Sequence, residues 1–273
     1  MSRPEIVPDD AAPGRDEWDR HWAVYGEPAE GNPANAYRHR LVMKLIGRPA
    51  AGDTILDIGS GQGELALLLG KAFPGAAVMG IEYSAGGVQR ARQAAALAGL
   101  AVEFVQRDLL EPATVDPGLR GRAAYAVCSE VLEHVDDPAL LLRNAAQYLA
   151  PGSRVVVTVP GGPRSAFDRH IGHRQHFAPS GLRQLLERAG FEVESVARAG
   201  FPFFNLYRLA VIARGRRLIA DLERAASSDD GGGTTQSAVL AVFERAFRLN
   251  MASSPFGWQM VAVARFPGPA SSP

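Results

Sequence analysis

A glycine-rich turn carries the clearest sign of chemistry in this sequence. Three glycines alternate with two polar residues directly after the apolar run TILDI: Gly59, Ser60, Gly61, Gln62 and Gly63. Glycine permits positive φ values and lets a ligand lie against the backbone, while a following helix points its free N–H groups at the same place. The turn therefore predicts a small-ligand site, unless it is only a tight strand–helix connection.

The residues around the turn separate two enzyme classes that use glycine loops, the dehydrogenases and the methyltransferases. A dinucleotide fingerprint places glycine at the first, third and sixth positions of the turn. Here the sixth position is Glu64, whose carboxylate would face a pyrophosphate, and Asp57 is a further departure. A nicotinamide-dependent oxidoreductase is therefore the weaker alternative.

The turn belongs to a regular alternation of strand and helix patterns. Short apolar runs predict seven strands, at 54–59, 76–82, 101–106, 123–130, 153–160, 191–199 and 257–266. Helical patterns lie between them, at 64–73, 85–99, 137–150 and 179–190. This alternation is typical of βαβ units with helices on both faces of a sheet. We expect an α/β three-layer sandwich with a Rossmann-like, seven-stranded, mostly parallel sheet and a helical insertion before the last strand.

Changes in this rhythm divide the chain into five predicted segments. They are a disordered tail at 1–17, an N-terminal helical cap at 18–50, a ligand-binding core at 51–199, a helical insertion or lid at 200–256, and the last strand with a tail at 257–273. The insertion can cover a ligand together with Trp18, Trp22 and Tyr25, contact a membrane surface or form a homodimer contact. Packing on its own domain is the favoured interpretation, because amphipathic helices usually do so.

Composition narrows the partners and the compartment. The chain has 29 basic and 29 acidic residues, so its formal net charge gives no general attraction to nucleic acid. The N-terminus lacks the apolar core of a signal peptide, and no long uncharged apolar stretch occurs. We therefore expect a cytoplasmic protein. The single cysteine, Cys128, excludes an intramolecular disulfide and a cysteine-based metal site.

The motifs together resemble those of the class I S-adenosylmethionine (SAM) methyltransferases. LDIGSGQGEL matches the first motif of that family, Glu82 ends the second strand in GIEYS, and Asp108 follows the third strand in VQRDLL. SEVLEHVDDP follows the fourth strand, and HRQHFAPSGLRQLLERAGFEV is similar to a common later stretch of the family. The resemblance covers about residues 37–199 and the last strand, and it extends to the ubiquinone-pathway O-methyltransferases.

The resemblance implies SAM as cosubstrate and a cofactor site of ten residues: Asp57, Gly59, Ser60, Gly61, Gly63, Glu82, Tyr83, Asp108, Leu109 and Ser129. Asp57 would face the positive methionine amine. The three glycines would let the methionine head lie against the backbone. Glu82 would accept hydrogen bonds from both ribose hydroxyls, which a carboxylate does better than an uncharged group.

The adenine and sulfonium ends of SAM would contact a second set of residues. Asp108 would accept a bond from the adenine amino group, with the Leu109 backbone nearby, although Asp108 can also be a simple helix cap. Tyr83 either stacks on the adenine or only packs. Ser129 would lie under the sulfonium and methionine portion.

The segment after the fourth strand supplies the candidate catalytic residue. In the family this loop lies beside the transferred methyl group, which makes His134 the best candidate for a general base. A histidine that shapes the pocket without moving a proton is the alternative.

The same segment also suggests a metal site. Glu130, Glu133, His134 and His173 offer two carboxylates and two imidazoles, a set that suits a divalent ion such as magnesium. It is similar to the magnesium site of small-RNA 2′-O-methyltransferases, where the metal would polarise a hydroxyl acceptor. Many metal-free relatives share LEHV, however, and Glu133 can instead pair with an arginine.

We predict a SAM-dependent methyltransferase that acts on a small molecule in bacterial specialised or cell-envelope metabolism. A hydroxyl oxygen is the favoured acceptor and a nitrogen the second. A SAM-binding protein without catalysis is a further alternative, separable by whether S-adenosylhomocysteine is ever formed.

Overall fold

The computed structural model describes residue 19 and residues 32–111, 115–227, 242–243 and 245–269. The strands are β1 (Thr54–Ile58), β2 (Ala77–Glu82), β3 (Val102–Gln106), β4 (Ala123–Ser129), β5 (Leu149–Pro160), β6 (Glu192–Ala199) and β7 (Gln259–Phe266). The helices are α1 (Pro33–Leu45), α2 (Glu64–Ala72), α3 (Ala85–Ala98), α4 (Pro138–Ala146), α5 (Ala166–His170), α6 (Pro179–Arg188) and α7 (Phe203–Ser227). Single 3₁₀ turns lie at Leu132–His134 and Phe247–Leu249.

The strands form one sheet in the order β3-β2-β1-β4-β5-β7-β6. β1 pairs in parallel with β2 and β4, and the strands outside them continue that direction to β3 and β5. β7 runs antiparallel to both of its neighbours, β5 and β6. The predicted α/β fold with a mostly parallel seven-stranded sheet is confirmed.

Helices cover both faces of the sheet because the central strands are apolar on both sides. Ile55 of β1 packs among buried residues of α1, α2 and α3. Leu56 and Ile58 of the same strand face the other way, into a core that α4 and α6 complete. This alternation along a strand buried on both faces produces the three layers.

One boundary differs from the sequence prediction. The helix predicted at 137–150 ends at Ala146, and β5 begins at Leu149 instead of at residue 153. Pro151 and Gly152 resemble a turn, but both are exposed, and Leu149 already pairs with Ala123 of β4. Tertiary pairing therefore outweighs a local turn signal here.

The insertion before β7 packs on α1. Phe204 of α7 and Phe247 are nearly fully buried and contact Tyr37 of α1, with ring centroids 5.4 and 5.7 Å from the tyrosine ring. Gly215 interrupts α7 with non-helical backbone angles, φ 41° and ψ −120°. The contacts fit the expectation that the insertion packs on its own domain.

Several predicted features lie outside the described residues. They are the tail at 1–17, the lid residues Trp18, Trp22 and Tyr25, and the segment 228–241. Within the part of the chain that the structure describes, no helix combines the length and the apolar character that a membrane crossing requires.

Candidate active site

The predicted ligand-binding residues meet at the carboxyl ends of the parallel strands. Strand order reverses between β1 and β4, and open α/β sheets bind ligands at such a point. Asp57 lies in β1, and Glu82 and Ser129 are the last residues of β2 and β4. Asp108 lies two residues beyond the end of β3. The topology therefore brings residues from four separate strands to one edge.

The glycine turn needs glycine for its own packing as well as for a ligand. Gly59 and Gly63 have φ values of 70° and 86°. A Cβ at Gly59 would lie 2.5 Å from the side chain of Val131, and one at Gly63 would lie 2.7 Å from Phe104. The N–H groups of Gly59 and Ser60 donate to the carbonyl of Ile81 at 2.8 and 3.0 Å. Hydrogen bonds therefore hold the turn against β2, and its glycines place no side chain between the backbone and a ligand.

Glu82 holds the turn from the end of β2. Its two carboxylate oxygens accept the backbone N–H groups of Gly61, at 2.9 Å, and of Ser84, at 2.8 Å. The residue is buried, and burial raises the pKa of its carboxyl despite these hydrogen bonds. Each carboxylate oxygen has a second lone pair, so the group can still accept a bond from a ligand hydroxyl. Sequence reasoning missed the structural half of this role.

The Asp57 carboxyl is buried, and its hydrogen bonding is incomplete. It is 2% exposed, and among the described residues its Oδ2 atom has no hydrogen-bond partner. Burial, followed by repulsion from Glu82, raises the pKa of Asp57 to about 7. A cationic group placed beside it would favour the ionised form, so the site fits an ammonium ligand.

The residues after β2 and β3 form the outer wall of this end. Asp108 Oδ1 accepts the N–H of Leu110 at 2.7 Å, so the residue does cap a turn. Leu109 is buried and its carbonyl accepts from Asn144 at 2.7 Å, while Tyr83 is partly exposed. Asp19, which sequence reasoning missed, accepts from the Gly86 N–H at 2.9 Å and from the Ser84 hydroxyl.

Ser129 ends β4, and Glu130 follows it beside β5. The Ser129 hydroxyl lies 2.8 Å from that of Thr158 on β5. Glu130 has a φ of 57°, and it is the only non-glycine residue with positive φ in the described part of the chain. Such backbone strain in a non-glycine residue is typical of functional sites.

The structure places Glu130 apart from the other three predicted metal ligands. Its Oε2 atom pairs with Arg38 at 2.9 Å, and its Oε1 atom accepts from Gln259 at 2.8 Å and Thr158 at 3.1 Å. Arg38 also donates to Gln259 at 3.2 Å. Both carboxylate oxygens are therefore engaged by other side chains, and Glu130 is not a member of the group that surrounds His134.

The other three predicted ligands do come together. Donor atoms of Glu133, His134 and His173 all lie within 4.8 Å of one another. The His134 and His173 rings meet edge to face, with centroids 4.7 Å apart. Glu133 is fully buried, and among the described residues neither of its oxygens accepts a hydrogen bond. Burial, followed by repulsion from Glu130, raises its pKa well above the usual range.

Charged and polar residues also lie close to His173, and sequence reasoning missed them. Asp168 is fully buried and pairs with Arg208 of α7 at 2.8 Å. Burial alone would raise the pKa of Asp168, but the bonds from Arg208 and Ser165 lower it below its usual value. Ser165 and Asp168 form a capping box at α5, and the pattern S-x-x-D was the available signal.

His176 completes this group. Its Nε2 atom lies 3.1 Å from His173 Nδ1, and its Nδ1 atom lies 3.1 Å from the carbonyl oxygen of Gly162. Burial lowers the pKa of both imidazoles, which are therefore neutral near pH 7. The carboxyl edge of the sheet thus has a glycine end, with the buried carboxyls Asp57 and Glu82, and a histidine end, with His134, His173 and His176.

Comparisons with known proteins agree with this geometry. A family model described as a methyltransferase domain matches residues 32–196. The ubiquinone biosynthesis O-methyltransferase of Aeromonas salmonicida is 30% identical over 206 residues, which cover 70% of this chain and 84% of that protein. The family match indicates a methyltransferase and gives no support to the dehydrogenase alternative.

Solved structures share the fold at low identity. The cyclase SpnF is 21% identical with a TM-score of 0.63, covering 96% of this chain and 99% of that one. Phosphoethanolamine N-methyltransferase 2 of Haemonchus contortus, in complex with SAM, is 18% identical with a TM-score of 0.60, covering 96% and 61%. These likenesses confirm the architecture and leave the acceptor open.

Proposed function

The chain belongs to the class I SAM-dependent methyltransferases, and we propose that it transfers the methyl group to a hydroxyl oxygen of a small molecule. The observation that supports an oxygen acceptor is the position of His134, whose imidazole is grouped with a second imidazole and a buried carboxyl just after the end of β4. A hydroxyl must lose a proton as it is methylated, whereas a neutral amine need not lose one before it attacks. The name of the Aeromonas relative supports the same acceptor atom.

The glycine end would hold SAM through the residues expected from the sequence. Asp57 would pair with the methionine ammonium, which restores its ionised form, and the backbone at Gly59, Ser60, Gly61 and Gly63 would lie against the methionine head. Glu82 would accept from the ribose hydroxyls with the lone pairs that Gly61 and Ser84 leave available. Tyr83, Asp108 and Leu109 would contact the adenine, and Ser129 would lie near the sulfonium.

The reaction is a displacement at the methyl carbon. The acceptor oxygen forms a bond to that carbon as the carbon–sulfur bond breaks and its electron pair stays on sulfur, giving S-adenosylhomocysteine. The hydroxyl proton passes to the His134 imidazole and then to solvent. Positioning of the two reactants supplies much of the acceleration of such reactions.

The histidine end also fits a divalent cation, as a second version of the mechanism. Glu133, His134 and His173 would be its ligands, since Glu133 has no hydrogen-bond partner among the described residues and both imidazoles offer a nitrogen. When bound, the ion would lower the pKa of the acceptor hydroxyl. Exhaustive dialysis against EDTA separates the versions: activity lost and then restored by magnesium supports the ion, and unchanged activity supports His134 acting alone.

The acceptor class is tested with matched pairs of compounds. The protein is incubated with SAM and either phenols and sugar hydroxyls or the corresponding amines, such as phenol against aniline, and S-adenosylhomocysteine is measured by mass spectrometry. Turnover confined to the hydroxyl series supports the proposal, and turnover confined to the amines overturns it. SAM binding without S-adenosylhomocysteine from any acceptor indicates a SAM-binding protein without transferase activity.

Partners and location stay predictions. A nucleic-acid acceptor is disfavoured by the zero net charge. Peripheral membrane contact, a homodimer and the cytoplasmic location expected from the sequence are untested.

A further inference from the structure

His176 lies outside the groups assigned to the reaction, yet it contacts one of them directly. Its ring bridges the Gly162 carbonyl and His173, with both contacts at 3.1 Å. We propose that His176 is a positioning residue that fixes His173 as the Nδ1–H tautomer and so leaves the Nε2 lone pair of His173 available to the Glu133–His134 pocket. The inference deepens the proposed function and rests on it for the use made of that lone pair.

The hydrogen-bond chain begins at Gly162. A carbonyl oxygen only accepts, so His176 Nδ1 must carry a proton to bond it. In a neutral ring the other nitrogen is then an acceptor, so His176 Nε2 can only receive a proton from His173. His173 Nδ1 is therefore the donor, and its Nε2 atom is unprotonated. One backbone carbonyl thus sets the tautomers of two successive imidazoles.

Asp168 favours the same arrangement. Its Oδ1 atom lies 3.8 Å from His173 Nδ1, and its other oxygen is bound by Arg208 and Ser165. A proton on Nδ1 is attracted to this carboxylate, whereas a lone pair on Nδ1 would face it unfavourably. The Asp168 carboxylate therefore favours a proton on His173 Nδ1, as His176 does.

The opposite arrangement requires a charged ring. If His176 Nε2 donated to His173 Nδ1 while His176 Nδ1 still bonded the Gly162 carbonyl, both nitrogens of His176 would carry protons. That imidazolium would be partly buried, and the Asp168 carboxylate near it is already paired with Arg208. The neutral chain avoids this charge and satisfies the Gly162 carbonyl as well.

A lone pair at His173 Nε2 serves either version of the mechanism. Metal-bound imidazole must offer a lone pair, and the tautomer of a ligating histidine is usually set by a bond at its other nitrogen. Without an ion, the same lone pair can accept a hydrogen bond from the Glu133 carboxyl when that carboxyl is protonated. A proton on Nε2 would block both contacts.

The test reads the tautomers directly, with full-length protein in the absence of metal and substrate. Long-range ¹⁵N–¹H correlation spectra distinguish Nδ1–H from Nε2–H imidazole, and we expect His173 and His176 both as Nδ1–H. In His176→Phe we expect His173 to shift toward Nε2–H. In His176→Gln, whose side-chain oxygen can accept where Nε2 did, we expect His173 to stay Nδ1–H.

Activity provides the second readout once an acceptor is found. We expect His176→Phe to lower kcat at least tenfold with the KM for SAM unchanged, and His176→Gln to recover most of the loss. His173 as Nε2–H in the native protein, or unchanged by His176→Phe in a variant with a native melting curve, would overturn the inference. Because the spectra need no acceptor, their result is independent of whether the hydroxyl proposal holds.

Discussion

The glycine end and the histidine end of the site are built in different ways. At the glycine end, backbone groups make the shape: Gly61 and Ser84 donate their N–H groups to Glu82, and the turn bonds the Ile81 carbonyl. At the histidine end, side chains from distant segments meet. Glu130 bonds Gln259 129 residues away, and Asp168 bonds Arg208 40 residues away.

We expect the two ends to bind different reactants of the proposed reaction. A backbone cradle tolerates change around it, because its geometry comes from glycine and from strand pairing. A side-chain pocket changes shape with any one of its members. Under the proposed function, the glycine end would hold SAM and the histidine end would contact the acceptor.

The largest expected effect is on turnover. Replacing His134 with Ala removes the proposed base and should lower kcat by roughly 100- to 10,000-fold, while SAM affinity by calorimetry stays unchanged. His134→Gln, which keeps a polar group without a useful base, should behave alike. Full turnover in His134→Gln would make His134 a pocket-shaping residue. Loss of SAM affinity in either variant would mean that the histidine end also contributes to SAM binding.

Next comes stability at the histidine end. Arg208→Met leaves Asp168 buried without its charged partner, which should lower the free energy of unfolding by about 3–5 kcal/mol, measured by urea denaturation. The double variant with Asp168→Asn should recover part of the loss, because no unpaired charge remains. We expect SAM affinity to stay unchanged although the free energy of unfolding falls. A parallel loss of SAM affinity would show that the glycine end and the histidine end are energetically coupled.

At the glycine end, Glu82→Ala should weaken SAM binding by about 1–3 kcal/mol, through loss of a charge-assisted contact. The measurement is calorimetry, with kcat at saturating SAM as the control, and kcat should change little. Glu82→Asp keeps the carboxylate and should lose less. Unchanged SAM affinity in Glu82→Ala, in a protein with a native melting curve, would remove Glu82 from the ribose site.

The smallest effect expected is the pH dependence of SAM affinity. The pKa of Asp57 is raised to about 7 in the free protein, so the ionised form that attracts the ammonium is lost below that pH. SAM affinity should fall about fivefold between pH 7 and pH 6, because the ionised fraction of Asp57 falls from about a half to about a tenth. Asp57→Asn should bind more weakly at pH 8 and show no such slope. An equal slope in both proteins would contradict the Asp57 assignment.

The same carboxyl should affect stability in the opposite sense. A folded pKa above the ordinary 3.8 favours the neutral form, so its contribution is present below pH 4 and is lost as pH rises through about 7. Without SAM, Asp57→Asn should therefore melt at a higher temperature than the native protein at pH 8, and the difference should narrow toward pH 5. Thermal unfolding across that range tests it.

The same contrast explains what the sequence could predict. Strand patterns and the glycine turn are local, so the sheet and the gathering of Asp57, Glu82 and Asp108 at its edge followed from residues close together in the chain. The contacts of Glu130 with Arg38 and Gln259 could not be predicted, because spacing alone does not show which residues from distant segments bind a carboxylate.

Partners that come from other segments leave no local pattern. Arg208 is one of many arginines in an amphipathic helix, and its bond to Asp168 depends on how α7 crosses α5. His176 has no spacing that marks it as a bridge between Gly162 and His173. Only the capping-box pattern at Ser165 was available for Asp168. The three-dimensional arrangement supplies the rest.

The position of β7 in the sheet affects the order in which the two ends can form during synthesis. β7 lies between β5 and β6, yet it leaves the ribosome after both of them, so their facing edges stay unpaired until it inserts. Gln259, its first residue, then reaches Glu130 and Arg38. A nascent chain can therefore assemble the glycine turn and its contacts first, and the contacts of Glu130 and Arg38 with Gln259 only when translation has passed β7.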